Sequence, residues 1–215
     1  MKPVFLSHLL RSDTPMYGGG QGMFITSERC MDAGDTCNSS RLSFPNHLGT
    51  HVDAPKHFIN EGRSITDFDA EEWVFLKPLL LDFQAEPAQI INPLDAIGFI
   101  DGEADADLLL IRTGFEKCRG SEDYWKRGPG LAPGLSDQIK KRMPRLRAIG
   151  VDFISASSYQ NREVGRQAHR NFLGMGLLLI EDMKLSGLQS KPHQVVVAPL
   201  LLEGLDGAPV TIFSM

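Results

Sequence analysis

His47, His51, Asp53 and His57 fall within eleven residues of a 215-residue chain that has only six histidines. Imidazole nitrogens and carboxylate oxygens are the ligands that zinc and its neighbours take from proteins. The stretch "HLGTHVDAPKHF" (47–58) therefore reads as metal-binding. N and O donors of this mix suit Zn2+ or Mn2+ better than Cu(I) or an iron–sulfur cluster.

The backbone must bring these side chains together. All four positions are odd-numbered and would share one face of a strand. His51 and Asp53 would then sit ~6.6 Å apart, close enough to share an ion, whereas His47 and His51 would be ~13 Å apart. Metal–nitrogen bonds are only ~2.1 Å long. A helix would bring residues i and i+4 together, but Gly49, Thr50, Val52 and Pro55 disfavour one. The solution for one shared ion is a bend between His47 and His51. Gly49 can make it through a bulge or a positive φ. Pro55 then ends the strand, so that His57 can fold back over the same pocket.

A second pair lies downstream. "NREVGRQAHRNFL" (161–173) carries Val164, Ala168 and Phe172 at helical spacing, and Gly174 and Gly176 end the helix. His169 sits in this helix and Glu181 at the end of the following strand. Twelve residues of continuous helix would part them by ~18 Å. The glycine break lets the strand run back, so helix middle and strand end can meet. They could complete the first site or hold a second ion, with Asp53 as a bridge. His8 and His193 have no such neighbours.

The remaining elements are mostly strands. Short apolar runs between Gly and Pro, such as "LLLDF" (79–83), "LLLIR" (108–112), "AIGVDFIS" (148–155), "GLLLIE" (176–181) and "QVVVAPLLL" (194–202), read as buried strands. "PVTIFSM" alternates and pairs in the same sheet or at its edge. Ser136 is a candidate cap for a helix over "SDQIKKRM". Residues 116–134 read as a mobile surface loop. The pattern predicts a single α/β domain over 1–215, with a central mixed sheet and a few flanking helices.

Bulk properties narrow the function. The net charge of −5 argues against nucleic acid. The basic cluster from Lys140 to Arg147 reads as a solvated helix face. Three cysteines without a CxxC suggest reduced, structural thiols in a cytoplasmic protein. The first fifteen residues lack the apolar core and cleavage site of a signal peptide. No run approaches the ~18 apolar residues of a membrane span. A small-molecule substrate is the expected partner.

"HLGTHVDAPKHF" resembles the HxGTHxDxPxH motif of the metal-dependent cyclase family, which includes bacterial kynurenine formamidases and isatin hydrolases. "DTPMYGGG" (13–20), "INEGRSITDF", "LLLIRTGF" and "AHRNFLGMGLLLIEDMKL" resemble further family segments, so most of the chain is covered. The resemblance implies that His47, His51 and Asp53 hold a first divalent ion, and that Asp53, His169 and Glu181 hold a second where one is present. It implies His57 as catalytic acid/base. Tyr17 falls where the formamidases place a substrate-packing tryptophan, and "GVDFISASS" replaces their GIDTPS-like stretch. The implied fold is a swivelling β/β/α barrel-like core, in a homodimer or homotetramer with active sites near a subunit interface. The implied activity is metal-dependent amide hydrolysis, with N-formylkynurenine from tryptophan catabolism as the first substrate. The alternatives are a cyclic-amide hydrolase, a cyclase, or a metal-binding protein without catalysis.

Overall fold

A computed structural model describes residues 2–92 and 103–215, and in it the apolar runs become strands. In chain order these are β1 (Val4–Phe5), β2 (Phe24–Arg29), β3 (Ser39–Ser43), β4 (His51–Asp53), β5 (Val74–Phe75), β6 (Pro78–Asp82), β7 (Ile90–Ile91), β8 (Leu108–Arg112), β9 (Gly130–Leu131), β10 (Ala148–Val151), β11 (Leu178–Glu181), β12 (Val195–Pro199) and β13 (Gly207–Ser214). The helices among the described residues are α1 (Asp123–Lys126), α2 (Leu135–Arg142) and α3 (Arg162–Gly174).

Among the described residues nine strands form one mixed sheet in the order β5-β12-β13-β4-β11-β10-β8-β6, with β1 paired to β13. Strands β6, β8, β10 and β11 run parallel, and β4 lies antiparallel between β11 and β13. The two ends of this path, β5 and β6, are consecutive in the chain, with only Leu76 and Lys77 between them. So short a link reaches ~10 Å. The sheet must curl until its edges nearly meet, which gives a nearly closed, barrel-like core.

Parallel strands are buried on both faces and need unbroken apolar runs. On the outer face Leu109, Ile111, Ile149, Val151 and Leu179 pack with Leu135 and Ile139 of α2 and Ala168 and Phe172 of α3. On the inner face Leu108, Leu110, Ala148, Leu178 and Ile180 pack with Val52, Val195, Val197 and Ile212. Strand residues alternate in direction, so odd numbers mark the helix-covered face in this half of the sheet.

Several sequence expectations change. Helix α2 begins at Leu135, and buried Ser136 does not cap it; its hydroxyl donates back to the Pro133 carbonyl. Residues 116–134 are not a free loop. They contain part of a 3-10 turn (Phe115–Cys118), α1 and β9, and Tyr124 is fully buried there. Its hydroxyl donates to Asp182 Oδ1 at 2.5 Å, a partner that local sequence does not reveal. Strand β12 stops at Pro199 and leaves Leu200 to Leu202 exposed. The alternating C-terminal run joins β13, which lies inside the sheet, not at its edge. The basic cluster divides, because Arg147 leaves the helix face and donates to the carbonyls of Glu72 and Val74. Strands β2 and β3 form a separate exposed ribbon. The cysteines are free, and Cys37 is exposed where packing was expected. Among the described residues no helix is long and apolar enough to cross a membrane.

Candidate metal centre

Strand register builds the centre. In β4, His51 pairs with Glu181 of β11, and Asp53 pairs with Leu179. Residues directly opposite in an antiparallel pair share a face. Leu179 points to the helix-covered face, so His51, Asp53 and Glu181 do too. Helix α3 crosses that face and lowers His169 onto them. Gly165 permits the approach, since a Cβ there would overlap Ser157.

His47 is not on the strand. It lies in the turn before β4, and Gly49 adopts φ +68° to bring it back. The bend anticipated from spacing is present, as a left-handed residue and not a bulge. Pro55 opens a single 3-10 turn, Pro55–His57, that returns His57 to the same cavity. A Cβ on Gly49 would lie 2.5 Å from Leu10 Cδ2. Gly49→Val therefore meets both a crowded site and a backbone region that β-branched residues avoid. It is expected to lower metal affinity by ~10-fold, in proportion to ~1–3 kcal/mol of strain, although it removes no ligand. A metal titration unchanged from wild type would count against the bend as a determinant of the site.

The far nitrogens of the histidines are committed. His51 Nδ1 donates to the Gly49 carbonyl at 2.8 Å, and His169 Nδ1 donates to the Gly165 carbonyl at 2.8 Å. Carbonyl oxygens only accept, so each Nδ1 carries a proton and each neutral ring offers Nε2 inward. His51 Nε2 lies 3.4 Å from both Asp53 Oδ1 and Glu181 Oε2. His169 Nε2 lies 3.3 Å from Glu181 Oε1 and 3.5 Å from Asp53 Oδ2. His47 Nδ1 lies 2.7 Å from Asp53 Oδ1. Asp53 Oδ2 is buried without a hydrogen-bond partner. Buried polar atoms are normally satisfied, and a cation among these atoms would satisfy this one. The donor set fits a divalent ion, and ligand atoms of His51, Asp53 and Glu181 fall within 4.8 Å of one another. So do those of His47, Asp53 and His57, which places His57 near ligand distance as well.

Charge agrees with this fit. Burial alone would push Asp53 up, but the neighbouring His169, His47 and His51 hold it well below the usual carboxylate range. Burial and the charge of Asp53 push Glu181 up; His169 and His51 outweigh them and bring it to about 2. Burial lowers His169, and Asp53 and Glu181 reverse this and raise it to about 10. The two buried carboxylates thus demand positive charge, which imidazolium supplies when metal does not.

This sets a pH dependence. The raised His169 stabilises the metal-free fold fully below its unfolded value near 6.5, and loses that contribution as pH rises through about 10. The lowered Glu181 contributes above 4.5 and loses its share as pH falls through about 2. The metal-free protein is expected to melt lower at pH 9.5 than at pH 6.5, by ~5 °C. The loaded protein should change less, because metal binding displaces these protons. Calorimetry of both forms checks the difference.

The centre forms one wall of a cavity of about 260 Å³. A cavity of ~150 Å³ holds benzene, so this one admits a ring with substituents or a fused bicycle. Tyr17 lines it, with its ring edge-on to Tyr159 at 5.6 Å, and Arg162 lies over both rings. The structure thus gathers every expected site residue around one cavity. It adds others that sequence reading missed. Ser155 and the Ala156 N–H donate to Glu181 Oε1 at 3.2 and 2.6 Å. Asp206 Oδ2 lies between His47 Nε2 (2.9 Å) and His57 Nδ1 (2.7 Å). His8 sits apart beside Glu116, and His193 is exposed.

The chain is 27% identical to the kynurenine formamidase of Bacillus thuringiensis (strain Al Hakam), over 96% of this chain and 94% of that one. It is 29% identical to the kynurenine formamidase of Geobacillus thermodenitrificans (strain NG80-2), with the same coverage. Among solved structures it shares its fold with isatin hydrolase A from Labrenzia aggregata, bound to benzyl benzoate. That likeness has a TM-score of 0.84 and 24% identity, covering 100% of this chain and 93% of the other. The profile of the Cyclase family matches residues 4–157, which include the whole histidine stretch, and the chain belongs to that family.

Proposed function

We propose that this chain is a metal-dependent hydrolase of an amide bond that acts on a small molecule, with N-formylkynurenine as the first substrate to test. One observation carries the reading. His51 and His169 have their outer nitrogens tied to carbonyls, while their inner nitrogens converge on Asp53 and Glu181 beside a cavity that also holds His57. His47, His51 and Asp53 would hold one Zn2+ or Mn2+, and Asp53, His169 and Glu181 a second where two bind. A divalent ion there supplies Lewis acidity and brings the pKa of water down toward ~7.

The chain's own residues do the rest. His57 accepts a proton from the attacking water and returns it to the departing nitrogen. Tyr17 packs against the ring of the substrate. Family relatives that are named kynurenine formamidases support the formamide substrate. A cavity large enough for a fused bicycle keeps cyclic amides of the isatin type as the second reading. The exposed apolar residues Phe24, Ile25 and Leu42 of the β2–β3 ribbon support self-association as a homodimer or homotetramer, and the free cysteines support a cytoplasmic setting.

The test is turnover of N-formylkynurenine, simple aryl formamides, isatin and other lactams by protein loaded with zinc or manganese. Hydrolysis of at least one class is expected, lost on chelation and restored by the ion. A loaded protein inert toward every amide and lactam would sink the reading.

A further inference from the structure

Asp206 stands just before β13 and reaches two histidines from the other end of the chain. Its Oδ1 accepts from Asn46 Nδ2 at 2.8 Å. Its Oδ2 faces His47 Nε2 at 2.9 Å and His57 Nδ1 at 2.7 Å. An ionised carboxylate only accepts, so both nitrogens that face it carry protons. By the same rule Asp53 Oδ1, 2.7 Å from His47 Nδ1, draws a proton there when no metal is bound; a bound ion would displace that proton, and with Nε2–H held by Asp206 the ring would turn its Nδ1 lone pair to the ion. Neutral His57 is left with its lone pair on Nε2. The two rings lie 4.0 Å apart between centroids, so one anchor holds both.

We infer that Asp206 is a positioning residue that sets two tautomers at once, the metal-binding form of His47 and the proton-accepting form of His57. The inference rests on the hydrolytic reading above. Asp206 acts through the two histidines and touches no reacting atom. Asparagine cannot replace it. The single carboxamide oxygen can face either Asn46 or the two imidazoles, but not both, and its NH2 beside an imidazole selects the opposite tautomer. Carboxylates behind metal-binding histidines are worth ~10–100-fold in affinity. Neutralising the carboxylate behind a catalytic histidine costs up to ~10⁴ in turnover in hydrolases where it has been measured.

The experiment compares zinc-loaded wild type, Asp206→Asn and Asp206→Glu at alkaline pH. Three quantities are read: imidazole tautomers by long-range 15N–1H NMR, zinc affinity against a competing chelator, and kcat and KM separately. The wild-type His57 is expected to carry its proton on Nδ1. Asp206→Asn should shift it to Nε2, weaken zinc ~10–100-fold, and lower kcat at least ~100-fold with KM changed little. Asp206→Glu should recover part of all three. A wild-type His57 protonated on Nε2 overturns the inference without any variant. So does an Asp206→Asn protein that keeps the Nδ1 proton and wild-type zinc affinity. A wild type that hydrolyses no amide defeats the hydrolytic reading instead, and the tautomer and affinity readings still decide the role of Asp206.

Discussion

An Asp53→Asn protein is expected to lose its metal and its turnover together while it keeps its fold. The substitution keeps shape and removes only charge and one acceptor. Asp53 ends β4, paired with Leu179 on one side and Gly207 on the other, so backbone pairing survives. The loss falls on the centre. Its Oδ1 faces His47 and His51, and its Oδ2 faces His169. Zinc sites with four ligands bind with about 10–16 kcal/mol, or roughly 3 kcal/mol per ligand. One lost ligand therefore costs at least ~100-fold in affinity, and a ligand shared between two ions costs more. A second consequence separates this from a folding defect. Burial lowers His169, and the facing Asp53 carboxylate is the first effect that raises it. Without that charge the metal-free variant should lose much of its alkaline decline in melting temperature. Wild-type metal affinity in this variant would remove Asp53 from the ligand set.

The first half of this candidate centre could be read locally because His47, His51, Asp53 and His57 lie within eleven residues. Spacing alone showed that His47 and His51 need a bend, and Gly49 at φ +68° provides it. The pairing of His169 with Glu181 also followed from local order, since Gly174 to Gly176 reverse the chain between helix and strand. What spacing could not supply is register. Glu181 faces His51 only because β4 lies antiparallel beside β11 with those residues opposite. A slip of one residue would turn one of them to the barrel interior.

Asp206 was illegible for a similar reason. It is separated by 149 residues from His57 and by 159 from His47. In sequence, "GLDG" signals a turn, which hides a carboxylate that acts at long range. Residues 116–134 misled through composition. Their glycines and charges read as a solvated loop, yet Arg119 and Tyr124 both close on Asp182, the residue after Glu181. Asp182 has φ +52°, an uncommon conformation for a residue with a side chain. Those two partners hold it there, and so the segment braces the residue next to Glu181 instead of moving freely at the surface.

His57→Ala is expected to abolish hydrolysis and leave the metal in place, and it separates the two roles open to this residue. His57 lies with His47 and Asp53 inside ligand distance, so proximity alone does not decide between ligand and proton carrier. Two observations favour the proton carrier. Asp206 holds both His47 and His57, but the other nitrogen of His47 lies 2.7 Å from Asp53, whereas the ion pair of His57 is to Asp206, outside the buried carboxylates. His57 is also the most exposed of the four histidines, at 27% against 22% for His47 and about 5% for His51 and His169. A ligand gains from burial among carboxylates, whereas a group that exchanges protons with water needs access to it. General acid–base catalysis is worth ~10²–10⁴ in rate, so kcat should fall by that factor with metal content unchanged. Imidazole added in solution should restore part of the turnover, since alanine leaves space next to the cavity and imidazole supplies the missing base. Metal lost in step with His57 would make it a further ligand to the ion assigned to His47, His51 and Asp53. The proton would then have to leave by another group, and Asp206, no longer anchoring a base, would instead support two ligands, His47 and His57.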